Sequence, residues 1–303
     1  MSKKKIVNII SAGHSGSTIL TKLLGQQEKI FGGGELTFYK NSMVNSDALC
    51  SCGESYKKCP FWSRVSEQVS TENLHLSRLL KKNNNTINYL KFFISLLKEG
   101  KFYYNCRSNI KAYLKLYKVI FEISESDVII DSSKNFATSI ILSNLDKYDT
   151  YFIFLHRDGR AVLNSYQKDS YKIRLGDKHL KKERDKPDEN KTIKEWLFNN
   201  VYGLILMIFR SKKTFKISHE KIINNPLDSL NKMIDFIGLD IEKNELRVRF
   251  DKVDHIFGGN VAKINATKIE KRDMYRWKKN LDNKTLNKFS LWAGWMNRIL
   301  GYK

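Results

Sequence analysis

Short, continuous apolar runs alternate with longer stretches of mixed polarity along this chain. Residues 6–10, 29–31, 128–130, 151–155 and 215–217 are the clearest runs. Successive rather than alternate apolar positions are the mark of strands covered on both faces. Between the runs the periodicity becomes helical, as where Ile87, Leu90, Phe93, Ile94 and Leu97 fall on one face. Strands alternating with helices predict an α/β fold in three layers, with a central parallel sheet of about five strands flanked by helices. Two blocks interrupt the alternation. Residues 40–125 read as a helical insertion that also carries a cysteine-rich loop, and residues 167–194, polar and of both charge signs around Pro187, read as a lid-like loop. Beyond it, Thr192 with Glu195 three residues on predicts a capped helix start, and residues 227–239 form an amphipathic helix stopped near Gly238. No internal repeat is visible, so residues 1–303 are expected to form a single domain.

Charge adds a partner class. The chain holds 54 basic and 32 acidic residues, a net charge of +22, which implies an anionic partner without choosing among nucleotide, glycan, membrane face or nucleic acid. Much of the lysine is mixed with asparagine, as in residues 81–86, the composition of a solvated surface. No apolar run reaches the length of a membrane span, and residues 6–10 are too short for a signal-peptide core. A cytoplasmic protein is expected, with basic patches or the segment 291–296 available for peripheral contact with an anionic inner membrane face. Cys50, Cys52, Cys59 and Cys106 are not a secreted disulfide framework in a chain of this size. Cys50, Cys52 and Cys59 would need Cys106 or His75 as a fourth zinc ligand, so a local disulfide or loop packing is expected there and no metal.

The chemistry concentrates in two places. The first strand runs into Ser11-Ala-Gly-His-Ser-Gly-Ser-Thr18 and then into an apolar helix. Backbone N–H groups around Gly13, Ser15 and Gly16, with the positive end of the helix, make a site for a phosphate or sulfate oxyanion. The lysine of a Walker loop is absent, because Gly16 is followed directly by Ser17 and Thr18. The second place is the tip of the strand ending at His156, where Arg157 is followed by a helix carrying Ser165. Ligands of open parallel sheets sit at strand C-termini, so both places should face one crevice. Two anion sites in one crevice suit a nucleotide phosphorylated at both ends.

With both motifs in view, the chain resembles the sulfotransferases that use 3′-phosphoadenosine 5′-phosphosulfate (PAPS), in their bacterial branch. Residues 11–20 are similar to the 5′-phosphosulfate loop of that family, and Arg157-Asp-Gly-Arg-Ala-Val-Leu-Asn-Ser165 to its 3′-phosphate motif. Gly34-Glu35, Cys59-Pro-Phe-Trp62, Asp131-Ser-Ser-Lys134, the 218–226 turn and His255-x-x-Gly-Gly-Asn260 extend the likeness over most of the chain. The resemblance implies a P-loop-like fold, PAPS as donor, PAP as product and no metal requirement. It also implies roles: Gly13, His14, Ser15, Gly16, Ser17 and Thr18 on the phosphosulfate, and Arg157 and Ser165 on the 3′-phosphate. Glu35 would be the general base, Lys134 and His14 would stabilise charge on the sulfuryl oxygens, and Gly259, Asn260, Lys263 and Lys268 would close over the nucleotide. Arg160 is expected in a structural ion pair, and Lys134 has Asp131 as an alternative partner. His14 departs from the lysine or arginine common at its position, so nucleotide affinity is expected to fall above neutral pH.

The acceptor implied for such a member is a carbohydrate or glycolipid, with peptide tyrosine or a small alcohol as alternatives, and Phe38, Tyr39 and Tyr166 could line its site. The competing classes are an atypical nucleoside or sugar kinase, with Asp131 as its only candidate magnesium ligand, and a basic nucleic-acid-binding protein. The latter lacks helix-turn-helix, zinc-finger and RNP signatures. No nucleic-acid partner is therefore expected.

Overall fold

A computed structural model describes residues 3–44, 48–70, 107–134, 138–139, 142, 147–167, 170–175, 178–183, 186–271 and 273–303. The strands are β1 (Lys5–Ile10), β2 (Ile30–Gly34), β3 (Val128–Asp131), β4 (Asp149–His156), β5 (Ser170–Leu175), β6 (Lys178–Glu183) and β7 (Thr214–Ser218). Five of them form one parallel sheet in the order β2-β3-β1-β4-β7. The helices are α1 (Ser17–Gly25), α2 (Tyr39–Val44), α3 (Pro60–Gln68), α4 (Arg107–Ser124), α5 (Gly159–Tyr166), α6 (Glu189–Phe209), α7 (His219–Asn224), α8 (Pro226–Ile237) and α9 (Asn283–Ile299), with shorter turns between them.

The apolar runs became strands because both faces of the sheet are covered. On central β1, Ile6 packs into a cluster with Leu36, Trp62, Tyr113 and Tyr117, while Val7 and Ile9 on the opposite face meet Leu20, Leu23, Leu24 and Ile234. A third cluster joins Phe154 of β4 to Trp196 of α6 and to Phe289 and Ala293 of α9. Order reverses at β1, with β3 and β2 to one side and β4 and β7 to the other, so the loops after β1 and β4 open side by side.

Three boundaries differ from expectation. The second strand runs to Gly34 and contains the glycines expected just beyond it. They are needed there, because α1 crosses so closely that a Cβ on Gly32 would lie 3.1 Å from the Thr21 carbonyl oxygen. The block expected as a loop over 167–194 contains an antiparallel hairpin of β5 and β6 and then the start of α6. Helix α6 begins at Glu189, capped by Asp188, whose carboxylate accepts the Lys191 N–H at 3.0 Å, and Thr192 is buried inside its first turn. Of the expected insertion, α2, α3, the cysteine segment and α4 are described, and residues 71–106 lie outside the described residues.

Candidate active site

The turn between β1 and α1 is an anion cradle by its backbone. Gly16 caps α1 with φ 95°, and no side chain satisfies the helix start and no carboxylate stands in its first turn. His14 also holds a left-handed backbone, φ 58°. Alternating backbone signs turn successive N–H groups toward one point, and the open helix end adds a partial positive charge. The Ser11 and Ser15 hydroxyls are buried without a partner, which suits donors awaiting an oxyanion. The turn is pinned from above: a Cβ on Gly13 would fall 2.0 Å from the Tyr166 hydroxyl oxygen, and one on Gly16 2.3 Å from His219 Nδ1.

Arg157 leaves the tip of β4 and reaches this turn. Its guanidinium donates to the His14 carbonyl oxygen at 2.7 Å, while its Nε is buried with no partner. The Ser165 hydroxyl lies 3.2 Å from His14 Nδ1, so His14 joins the two anion-binding segments. Burial depresses the Arg157 pKa, the Glu220 and Asp158 carboxylates oppose that, and the neighbouring Arg276 reinforces it. Arg157, Asn164, Ser165 and Arg276 line a shallow cleft here with Asp273. His219, just past β7, is pushed down to about 3 by burial and then by the Arg157 charge, so it is neutral at physiological pH. Arg160 is held by Asp158 at 2.8 Å over the Trp277 ring, an ion pair that braces the turn without entering the cleft.

On the other side of the cradle, the end of β2 is stitched to a distant segment. The Glu35 N–H donates to the Phe257 carbonyl oxygen at 2.7 Å, and the Phe257 N–H to the Gly33 carbonyl oxygen at 3.0 Å. This lays Gly259 and Asn260 on the cradle: the Asn260 N–H donates to Thr18 Oγ1 at 3.2 Å, and a Cβ on Gly259 would stand 3.1 Å from that oxygen and 3.9 Å from Glu35 Oε1. Lys134, also left-handed at φ 55°, pairs with Glu35 at 2.5 Å. Two residues in this backbone region beside one cleft mark a place where the surrounding structure offsets local strain.

Lys134 therefore does not pair with Asp131. That carboxylate is fully buried, accepts the Ser133 N–H at 2.7 Å together with the Ser133 and Tyr117 hydroxyls, and is pushed up to about 6 by burial. Lys263 turns away from the cradle, its ammonium on the Leu49 carbonyl oxygen at 2.6 Å and the Tyr56 hydroxyl at 2.9 Å. The Lys268 backbone pairs with that of Arg249 in an isolated antiparallel bridge. Tyr39 is buried in the core, whereas Phe38 is exposed next to Glu35 and Tyr166 edges onto His14.

The candidate site thus joins the loop 13–18 to Arg157 and Ser165 through His14, and to Gly259, Asn260 and the Glu35–Lys134 pair through Thr18. Sequence reading missed Arg276 and His219 as parts of it. Arg276 lies in a segment of mixed charge with no pattern to distinguish it, but His219 was available to the strand-tip rule that found Arg157. The cysteines also gather, with Cys50, Cys52 and Cys59 meeting His255 within 4.8 Å. Cys106 and His75, the fourth partners expected from sequence, lie outside the described residues.

No family model and no curated protein sequence matches the chain. Solved structures do. The sulfotransferase domain from the curacin biosynthetic pathway superposes with a TM-score of 0.58 at 18% identity, covering 100% of this chain and 99% of that one. Sulfotransferase STF9 from Mycobacterium avium superposes with a TM-score of 0.51 at 10% identity, over 100% of this chain and 78% of that one. The chain has the sulfotransferase fold, a five-stranded parallel sheet flanked by helices.

Proposed function

We propose that the protein is an enzyme that moves a sulfuryl group from PAPS to a hydroxyl or amine of an acceptor. The observation that carries this reading is the β1–α1 cradle, held to Arg157 through His14 and to the Gly259–Asn260 segment beside the Glu35–Lys134 pair through Thr18. Bound PAPS would supply an activated sulfuryl group with adenosine 3′,5′-bisphosphate as leaving group. The N–H groups of residues 13–18 hold the phosphosulfate, and Arg157 and Ser165, with Arg276, hold the 3′-phosphate. Glu35 takes the acceptor proton as the new bond to sulfur forms and the bond from sulfur to the 5′-phosphate oxygen breaks. Lys134 orients Glu35 and faces the charge on the transferring oxygens. No step assigns work to a metal.

A carbohydrate or glycolipid acceptor fits the net charge of +22, because such glycans are commonly anionic. Peptide tyrosine and small alcohols are the alternatives, and Phe38 is the exposed aromatic beside Glu35. Among the described residues no helix is long and apolar enough to cross a membrane. Helix α9 buries Phe289, Ala293 and Met296 but exposes Leu291, Trp292, Trp295 and Ile299, a ridge suited to shallow contact with a membrane surface. The kinase reading loses its magnesium candidate, since Asp131 is enclosed by Tyr117 and Ser133.

Radiolabelled PAPS incubated with cell extract divided into glycan, lipid, peptide and small-molecule pools tests the proposal. Label is expected in one pool with the wild-type protein and in none with Glu35→Gln, while PAP binding by the variant stays within a factor of about three. Unchanged turnover would remove Glu35 from the mechanism, and no label in any pool would sink the enzymatic reading.

A further inference from the structure

Cys50, Cys52, Cys59 and His255 have a geometry that the sulfuryl-transfer chemistry does not use. Cys59 Sγ stands 3.6 Å from Cys50 Sγ, 3.7 Å from Cys52 Sγ and 3.3 Å from His255 Nδ1, and Cys50 Sγ stands 3.9 Å from the same nitrogen. A disulfide would need about 2.05 Å between sulfurs. Zinc at about 2.3 Å from sulfur and about 2.0 Å from nitrogen, with tetrahedral angles, sets ligand separations of about 3.8 Å between sulfurs and about 3.5 Å from sulfur to nitrogen. The four distances above fall within about 0.4 Å of those values, and all four ligand atoms lie within 4.8 Å of one another.

The backbone around them is built to keep them there. Gly53 takes φ 94° and donates to the Cys50 carbonyl oxygen at 3.1 Å, folding the Cys-Ser-Cys-Gly turn back on itself. Cys59 is held by its N–H on the Ser55 carbonyl oxygen at 2.8 Å, just before α3. His255 is clamped along its main chain: Ser51 Oγ donates to the Asp254 carbonyl oxygen at 2.8 Å and accepts the Ile256 N–H at 2.7 Å, and Trp62 Nε1 donates to the His255 carbonyl oxygen at 2.7 Å. The Phe61 ring lies near parallel to the imidazole, 5.6 Å away. Three thiolates and one imidazole around a divalent ion leave one negative charge. The buried Lys263 ammonium, bonded to the carbonyl of Leu49 beside Cys50, stands where it offsets that charge.

We infer that Cys50, Cys52, Cys59 and His255 bind one zinc ion as a closed, structural site. Four protein ligands leave no open position for substrate, so the ion acts as a staple. It ties the segment entering α3 to residues 254–260, the segment that lies on Thr18 and Glu35. The inference does not depend on the reaction catalysed.

Elemental analysis of tag-free protein purified without chelator is expected to give about one zinc per chain. His255→Ala and Cys59→Ser should lose it, whereas His255→Cys, which replaces imidazole by thiolate, and Cys106→Ser should keep it. Should the two loss variants fail to fold, cobalt-substituted wild-type protein reads the site directly, through thiolate-to-cobalt charge transfer and the strong visible absorption of tetrahedral cobalt. Protein without metal, a Cys50–Cys59 or Cys52–Cys59 disulfide by mass spectrometry, or iron in place of zinc would overturn the assignment. Wild-type protein that holds zinc but transfers no sulfuryl group would count against the proposed function alone.

Discussion

Arg157→Met separates what the guanidinium does for the fold from what it does for the ligand. In the free protein this charge is buried, its Nε has no partner, and Arg276 repels it. A buried donor left unsatisfied costs about 1–3 kcal/mol, against about 1 kcal/mol returned by the bond to the His14 carbonyl oxygen. Methionine fills similar space without charge, so the free variant should be more stable than wild type by about 1 kcal/mol. The ligand response should move the other way. At a PAP concentration of one hundred times its Kd, the wild-type protein gains about 2.7 kcal/mol. Losing a charge-assisted, bidentate contact weakens binding about a hundredfold, which cuts the gain at the same concentration to about 0.4 kcal/mol. Urea unfolding with and without PAP measures both quantities in one experiment. A variant less stable than wild type in the free state, or one that keeps the full PAP-dependent gain, would refute the assignment of Arg157 to an anion.

Gly34→Ala should cost about 3 kcal/mol in thermal unfolding, because φ is 82° and the new Cβ would sit 2.1 Å from the Phe257 carbonyl oxygen; a loss below about 1 kcal/mol would mean that the stitch is loose. His156 is pushed down to about 3 by burial, with Lys216 adding to the effect, while the unfolded side chain titrates near 6.5, so the stability it confers is lost as pH falls below about 6.5. Asp131, pushed up to about 6, and Glu220, also raised by burial, act in the opposite sense at lower pH. His156→Phe should therefore lose about 2 kcal/mol less than wild type between pH 6.5 and 5, and equal losses by urea titration would contradict a neutral buried imidazole. His14→Ala should weaken PAP binding about tenfold by removing one donor from the loop, and unchanged affinity by calorimetry would remove His14 from the donor site.

Burial decided which features the sequence revealed. Each central strand was visible because coverage on both faces leaves a short apolar run, and the cradle was visible because a strand, small residues and an apolar helix follow one another without interruption. Gly32–Gly34 misled because the need for glycine came from the crossing of α1 at Gly32 and the Phe257 segment at Gly34, tertiary causes that look like a loop in sequence. The β5–β6 hairpin was hidden by its charge, although the Gly176-Asp177 pair between its strands is a turn dipeptide that could have signalled it. His255 as a companion of Cys59 could not be read from spacing, since 196 positions separate them and motif rules span tens. Lys134 offered two carboxylates from sequence, and only the enclosure of Asp131 by Tyr117 and Ser133 decides for Glu35.

The brace beneath Arg157 reaches across the chain. Asn297 accepts the Gly159 N–H at 3.1 Å and donates to Asp158 at 3.1 Å, and the Tyr302 hydroxyl lies 3.0 Å from His156 and donates to Glu220 at 2.7 Å. The cradle is thus made nearly three hundred residues before Asn297 and Tyr302, which lock its counterpart in place. Nascent chains carry the basic surface long before they carry a formed pocket. Tight retention on a bisphosphate matrix accordingly reports a chain that has been made and folded through to Tyr302.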